Sequence, residues 1–185
     1  MVNVAVTPWQ YGNVPGPKTA LTLKGDVAGR LIKAAKKPLI IVGAEALKVK
    51  LDENRTLLDY AIELSKLSGA PVVATANTLK AFLERGYKPA AAMGSIEITE
   101  RLRDRGWSID GSGAHDLVIY IGITYQLQSQ LLSSLKNFAL HLRTMSLDRY
   151  YHPNATWSFP NLSFDKWVDN LNMIIEVLRG GVGGR

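Results

Sequence analysis

The residue types that carry most enzyme chemistry are sparse in this chain of 185 residues. There is no cysteine, so the chain has no disulfide, no thiolate nucleophile and no cysteine ligand for zinc or an iron–sulfur cluster. No serine lies in a Gly-x-Ser-x-Gly elbow, and no histidines have the spacing of a zinc-protease helix. We therefore expect this chain to have no catalytic residues of its own.

The three histidines also give little support to a metal site. They are scattered, and only His115-Asp116 places two metal-ligating residue types side by side. Adjacent residues of an extended segment point to opposite faces, so this pair alone cannot form a site. We interpret Asp116 as a residue that closes the turn before the following strand, and we expect no metal.

Charged residues indicate a solvated surface. Glu97 and Glu100 lie three residues apart on a predicted helix among Arg101, Arg103 and Arg105, a pattern typical of surface ion pairs. The formal net charge is +6, but the basic residues are spread along the chain without a long basic run. This distribution favours a solvated face or an acidic protein partner over nucleic acid.

The best candidates for ligand binding follow three short apolar runs. They are Gly43 and Ala44, then Thr75, and finally Gly122-Ile123-Thr124, which leads into a predicted helix. A helix start offers free backbone donors and the positive end of the dipole, and a glycine permits close approach of a phosphate. The alternative is plain turn geometry, because neither the dinucleotide fingerprint nor the Walker loop is present.

The elements that position these loops alternate in type. Short apolar runs predict strands at 39–42, 71–74, 90–93, 117–121 and 140–147. Amphipathic spacing predicts helices at 25–36, 54–67, 78–85, 96–104, 124–135 and 163–178, the last with Ser163 as its cap. This alternation predicts an α/β, Rossmann-like three-layer domain in which helices cover both faces of a parallel sheet. Ligands of such sheets bind beyond the carboxyl ends of the strands.

The division of the chain follows its composition. Residues 1–20 are rich in proline and glycine and predict an extended arm, whose Trp9 and Tyr11 either dock on a neighbour or wrap their own domain. Residues 21–179 predict a single α/β domain, and 180–185 a frayed tail. No signal peptide or membrane-spanning run is evident, so we expect a cytoplasmic protein.

Two aromatic segments suggest protein contacts. They span 107–115 and 150–157, and neither is needed to build the predicted sheet. Large aromatic side chains are favoured at interfaces, so we expect a contact surface at Tyr150, Tyr151 and Trp157, and a weaker one at Trp107. The alternative is that both loops fold over their own core.

Several segments of the chain resemble known families. Lys37-Pro-Leu-Ile-Ile-Val-Gly43 and Gly69-Ala-Pro-Val-Val-Ala-Thr75 resemble the middle domain of thiamine-diphosphate enzymes, which holds FAD in some relatives. Residues 110–122, Lys136-Asn-Phe138 and residues 154–163 resemble the epsilon subunit of the archaeal acetyl-CoA decarbonylase/synthase complex. The second resemblance runs from about residue 24 to residue 178 and is the more distinctive.

The epsilon-subunit resemblance implies a role beside a large nickel–iron–sulfur alpha subunit in an α2ε2 CO dehydrogenase component, within a complex of further subunits. It implies stabilisation of that component or assistance in electron transfer to FAD, and it supplies no catalytic residues. A homo-oligomer is expected if the chain is isolated. Two alternatives stay open from the residues: a stand-alone module that binds FAD or another nucleotide, and an NAD-dependent enzyme whose base cannot be identified.

Overall fold

A seven-stranded parallel sheet forms the centre of the computed structural model, which describes residues 19–75 and 77–180. In chain order its strands are β1 (Leu21–Thr22), β2 (Pro38–Val42), β3 (Val72–Ala74), β4 (Ala91–Ala92), β5 (Leu117–Ile121), β6 (Arg143–Ser146) and β7 (Trp157–Ser158). Their order across the sheet is β1-β7-β6-β5-β2-β3-β4. The predicted arm at 1–18, with Trp9 and Tyr11, and the predicted tail at 181–185 lie outside the described residues.

Helices connect the strands. They are α1 (Gly25–Ala34), α2 (Leu57–Ser68), α3 (Thr78–Glu84), α4 (Ser95–Leu102), α5 (Tyr125–Phe138) and α6 (Phe164–Leu178), and a short 3-10 turn occupies Ala44–Leu47. The start of α2 is fixed by a capping box in which the Asp59 carboxylate accepts the Thr56 backbone N–H at 2.8 Å. Its end is fixed by Gly69, which has a φ of +71°.

The predicted three-layer architecture is confirmed, because the central strands are buried on both faces. Along β2, Ile40 and Val42 pack into one apolar cluster with α1, α2 and α6, while Leu39 and Ile41 pack into a second cluster with α4 and α5. A strand covered on both sides needs apolar residues at every position. This explains why the run over 38–42 is continuous and does not alternate.

The structure corrects several boundaries. The predicted helix at 54–67 begins at Leu57, because Thr56 takes the capping position, and the predicted strand at 140–147 is reduced to β6. Ser163 occupies the N-cap position of α6 as predicted, but its side chain makes no capping hydrogen bond. The two-residue strands β1 and β7 are absent from the prediction, since two residues are too short to show a period.

Candidate functional site

The strand order reverses between β2 and β5, so the loops after these two strands meet at the switch point where open parallel sheets bind ligands. In this protein the two loops touch through their backbones. The N–H of Gly43 donates to the carbonyl oxygen of Ile121, and that of Glu45 to the carbonyl of Gly122, each at 2.9 Å. Gly122 has a φ of +66°, and a β-carbon there would lie 2.6 Å from the nitrogen of Ala46. Both glycines therefore permit close packing of the two loops.

The predicted ligand-binding residues divide into two groups. Three line a cavity of about 480 Å³ beside the switch point: Gly122, Ile123 and Thr124. The other three lie outside the lining of that cavity: Gly43, Ala44 and Thr75. Thr75 is buried, and its hydroxyl donates to the carbonyl oxygen of Val42 at 2.9 Å. The binding of a cofactor by these six residues stays a prediction.

Three polar residues that the sequence pattern does not single out also line this cavity. Asp148, Arg149 and His152 follow the carboxyl end of β6. Asp148 and Arg149 fall between the strand predicted at 140–147 and the aromatic segment at 150–157, and His152 falls within that segment, so no motif marked them. The one available signal was an Asp-Arg pair placed just after an apolar run.

Asp148 is held by the loops around it. Its side chain is only 15% exposed, and its carboxylate accepts the Gly122 N–H at 2.9 Å and the Ser146 hydroxyl at 3.3 Å. Burial raises the pKa of Asp148 to about 6, although hydrogen bonds from Gly122, Gln128 and Ser146 act in the opposite direction. The carboxyl group therefore takes up a proton at a higher pH than an exposed aspartate does.

His152 lies beside this carboxylate and is almost completely buried. Its Nε2 is 3.9 Å from the Asp148 carboxylate, and its ring stacks on Tyr125 with ring centres 4.4 Å apart. Burial lowers the pKa of His152 to about 4, so the imidazole is neutral at pH 7. Its Nδ1 has no hydrogen-bond partner within residues 19–75 and 77–180.

The pKa of Asp148 is raised and the pKa of His152 is lowered, so the two residues change the stability of the fold with pH in opposite directions. Variants that remove one residue at a time separate the two contributions. With Asp148→Asn, His152 still binds fewer protons in the folded than in the unfolded state between pH 6.5 and about 4, so acidification destabilises the fold. With His152→Gln, Asp148 still binds more protons in the folded state between about pH 6 and 3.8, so acidification stabilises it. In the wild type the two contributions largely cancel.

Urea unfolding at pH 7 and pH 5 measures these differences. From pH 7 to pH 5, the unfolding free energy of Asp148→Asn should fall by about 1 kcal/mol more than that of the wild type. Over the same interval, that of His152→Gln should rise by about 2 kcal/mol relative to the wild type. Each variant serves as the control for the other, because all other titrating groups are shared. Parallel pH profiles in the three proteins would contradict the predicted pKa shifts.

Nothing in the described residues supports FAD at this switch point. FAD is the cofactor that the thiamine-diphosphate enzyme resemblance implies, and in open sheets a dinucleotide crosses the crevice between the two loops. Here backbone hydrogen bonds join those loops, and the carbonyl oxygen of Gly122 occupies the place a β-carbon of Gly43 would take. These contacts leave no gap between the two loops themselves, and we derive no chemistry through FAD.

The other residues considered for chemistry have structural contacts. His115 bonds through both ring nitrogens, to the carbonyl oxygen of Lys37 at 3.1 Å and from the N–H of Ile109 at 3.2 Å. The Asp116 carboxylate accepts the N–H groups of Lys36 and Lys37 at 2.6 and 2.8 Å, so it fixes the turn before β2. Within the described residues, no group of three or more His, Cys, Asp or Glu side chains could hold a metal ion.

Surface ion pairs on α4 confirm the interpretation of its carboxylates. Arg101 pairs with Glu97 at 2.9 Å and Arg103 pairs with Glu100, all on exposed or half-exposed side chains. No helix in the described ranges 19–75 and 77–180 has the length and apolar character needed to span a bilayer.

The aromatic segments differ in their exposure. Tyr151 is 2% exposed and its hydroxyl donates to the carbonyl oxygen of Ala20 at 2.7 Å, so the prediction of a contact surface there is wrong. Trp157 is half-buried and forms part of β7, so this segment does help to build the sheet. Trp107 is half-buried against the core, whereas Tyr150 is 51% exposed, and its role in contacts stays a prediction.

Comparisons with known proteins agree on one family. A family model described as "CO dehydrogenase beta subunit/acetyl-CoA synthase epsilon subunit" matches residues 2–178. A protein of Methanothermobacter thermautotrophicus named "Acetyl-CoA decarbonylase/synthase complex subunit epsilon" is 39% identical over 168 residues, which cover 90% of this chain and 93% of that protein. A protein of the same name from Methanothrix soehngenii is 40% identical over 85% of this chain and 82% of its own length. A protein of Archaeoglobus fulgidus named "Acetyl-CoA decarbonylase/synthase complex subunit epsilon 1" is 36% identical over 87% of this chain and 84% of its own length.

Proposed function

The chain belongs to the CO dehydrogenase beta subunit/acetyl-CoA synthase epsilon subunit family, and on that premise we propose that it is an accessory, non-catalytic subunit of an acetyl-CoA decarbonylase/synthase complex. The observation that carries the proposal is the extent of the similarity. It spans nearly the whole chain, and the relatives described above are all named as epsilon subunits of that complex. The cytoplasm is the proposed location.

The partner we propose is the large nickel–iron–sulfur alpha subunit, in an α2ε2 CO dehydrogenase component. The absence of cysteine from the full sequence supports this division of labour, because thiolates are the usual ligands of iron–sulfur clusters. The chain would then contribute shape and surface while the metal centres belong to the alpha subunit. The proposal includes no electron transfer through FAD, because nothing in the described residues supports a bound FAD.

The surface we propose for this contact is an apolar patch formed by Leu21, Phe138 and Leu140. These side chains are 67%, 63% and 83% exposed. Leu21 and Leu140 line one cavity of about 600 Å³ beside the edge strand β1, and the Phe138 ring packs under the guanidinium of Arg103 at 4.7 Å. Large exposed apolar side chains that cluster in this way are typical of protein interfaces.

Association with the purified alpha subunit tests the proposal. Under anaerobic conditions the two proteins should co-elute from a size-exclusion column, and the alpha subunit should lose CO-oxidising activity more slowly on warming when this chain is bound. Failure of the wild-type chain to bind the alpha subunit would contradict the proposal.

Leu140→Asp tests the patch. The substitution should weaken association about tenfold or more, because it places a charge in an apolar contact. Leu83→Asp is the matched control, since Leu83 is 54% exposed on α3, far from β1 in the strand order. Both variants should fold normally, as judged by their melting temperatures, because both sites are on the surface. Equal binding by Leu140→Asp and the wild type would show that the patch is the wrong surface.

A further inference from the structure

The cavity beside the switch point contains a cation whose donors are not all used. The Nε of Arg149 is buried and has no hydrogen-bond partner within the described part of the chain. One terminal nitrogen of its guanidinium donates to the hydroxyl of Tyr150 at 2.6 Å, and the group lies over the Tyr150 ring at 4.8 Å. The remaining N–H groups of this half-buried guanidinium can bind an anion, because a guanidinium makes its strongest hydrogen bonds, often two in parallel, to phosphate or carboxylate.

A second polar group in the same cavity also lacks a partner. His152 lines the cavity, is 1% exposed, and has an Nδ1 without a hydrogen-bond partner in residues 19–75 and 77–180. Buried polar atoms in native proteins are nearly always paired, so an unpaired imidazole nitrogen beside a cavity indicates that a ligand or water completes it.

The start of α5 provides a third feature of the cavity. Thr124, Tyr125 and Gln126 line it, and they form the first turn of a helix of 14 residues. Thr124 makes no side-chain capping bond, and the first turn contains no acidic residue. The amides of this turn and the positive end of the helix dipole therefore add to the attraction for an anion.

The carboxylates of the cavity are already bonded within the protein. Glu45 pairs with Lys48 at 2.8 Å, and Asp148 accepts the Gly122 N–H at 2.9 Å. The charge of Glu45 is therefore partly compensated and Asp148 uses its acceptor atoms within the protein, whereas the Arg149 guanidinium keeps donors for a ligand.

The walls and size of the cavity define the rest of the ligand. Aromatic side chains of Tyr150 and Phe164, which are 51% and 37% exposed, line it together with the buried Trp167. Its volume of about 480 Å³ lies in the range of sites for a single small molecule. Glu45 and Val49, which follow β2, also line the cavity, so its volume sets the size of the ligand.

From these observations we infer that the cavity binds a compact ligand with one planar ring system and one anionic group, of the size of a mononucleotide. The anion lies against Arg149 and the start of α5, and the ring lies against the aromatic side chains. The inference is independent of the proposed contact with an alpha subunit, which uses a different surface.

Titration of the full chain with FMN, AMP, FAD and inorganic phosphate tests this site. Binding of FMN is followed by quenching of its fluorescence, and that of the other three by calorimetry. FMN or AMP should bind saturably and more tightly than both FAD and phosphate. Arg149→Gln should weaken that binding about tenfold or more, because it removes a charge-assisted hydrogen bond. Lys88→Gln, which removes an exposed cation outside the cavity, should bind like the wild type.

Each arm has an outcome that overturns the inference. Absence of FMN and AMP binding up to about 1 mM would remove the site. FAD binding as tight as that of FMN would overturn the size limit, and phosphate binding as tight as that of AMP would overturn the role of the aromatic walls. Unchanged affinity in Arg149→Gln would overturn the assignment of the anion. If Arg149→Gln keeps the wild-type melting temperature, a loss of binding is due to the site and not to unfolding. None of these outcomes changes the result of the association test with the alpha subunit.

Discussion

Replacement of Gly122 by alanine is expected to lower the unfolding free energy by about 3 kcal/mol or more. Two costs add at this position. The backbone has a φ of +66°, which costs a residue with a β-carbon about 1–2 kcal/mol. The new β-carbon would also lie 2.6 Å from the nitrogen and 2.8 Å from the β-carbon of Ala46, so one of the two loops must move. Thermal and urea unfolding measure the loss, which corresponds to about 10 °C in melting temperature.

Alanine variants at Gly69 and Gly43 separate the cost of the backbone conformation from the cost of the steric overlap. Gly69 has almost the same backbone conformation, with a φ of +71°, but nothing lies within 4 Å of its missing β-carbon. Gly69→Ala should therefore lose only about 1 kcal/mol. Gly43 has a negative φ, yet its β-carbon would overlap the Gly122 carbonyl oxygen and lie 2.7 Å from the α-carbon of Ile123. Gly43→Ala should lose about 2 kcal/mol through the overlap alone.

Equal losses for Gly122→Ala and Gly69→Ala would mean that the loops after β2 and β5 do not touch as described. That result would reopen the switch point to a ligand that crosses it, because the contact between these loops is what closes the crevice. The same variants therefore test the backbone contact between the loops after β2 and β5.

The strands at the centre of the sheet could be predicted from the sequence because of where they lie. β5 was predicted with its observed bounds, 117–121, and β2 within one residue, since both are buried on two faces and need uninterrupted apolar residues. The short strands β1 and β7 could not be predicted. They have two residues each, and Leu21 is 67% exposed, so neither periodicity nor apolar content marks them.

The candidate site was predicted only in part, for a different reason. Gly122, Ile123 and Thr124 were predicted as ligand-binding residues because ligands bind at the ends of parallel strands, and all three line the cavity. Asp148 and His152 lie on the neighbouring loop, and their pairing depends on the position of β6 beside β5 and on a tight turn after it. Proximity between residues of separate loops is a property of the tertiary fold, so a single sequence without a motif cannot reveal it.

Tyr151 shows how the same residue type supports two opposite interpretations. An aromatic residue in a loop suggests a contact surface, but its side chain fills the core beneath the loop and its hydroxyl bonds to Ala20. Burial of about 150–250 Å² by one aromatic ring is as useful to a core as to an interface. Only the path of the chain distinguishes the two.

Replacement of Gly25 by alanine is the second substitution with a large expected effect, because α1 packs directly on the backbone of α6. The Gly25 N–H donates to the side-chain oxygen of Asn170 at 2.7 Å, and a β-carbon at Gly25 would overlap the Asn170 carbonyl oxygen and lie 2.9 Å from its α-carbon. Alanine is the better helix former, but backbone atoms of a helix cannot yield as a side chain can. We expect a loss of about 2 kcal/mol or more in unfolding free energy, measured by urea titration.

Gly94→Ala is the matched control for this substitution. Gly94 also lies at the start of a helix and has a negative φ of −62°, but the nearest atom to its missing β-carbon, in Glu97, is 4.0 Å away. That variant should lose only about 0.5–1 kcal/mol, because glycine is a better N-cap residue than alanine. Phe164 and Trp167 of α6 both line the cavity, and the Trp167 indole N–H donates to the carbonyl oxygen of Leu147 at 2.8 Å. If Gly25→Ala displaces α6, hydrogen exchange at this indole N–H should therefore increase. Equal stability of the Gly25 and Gly94 variants would show that α1 and α6 are not in backbone contact, and the α6 wall of the cavity would then lack the support of α1.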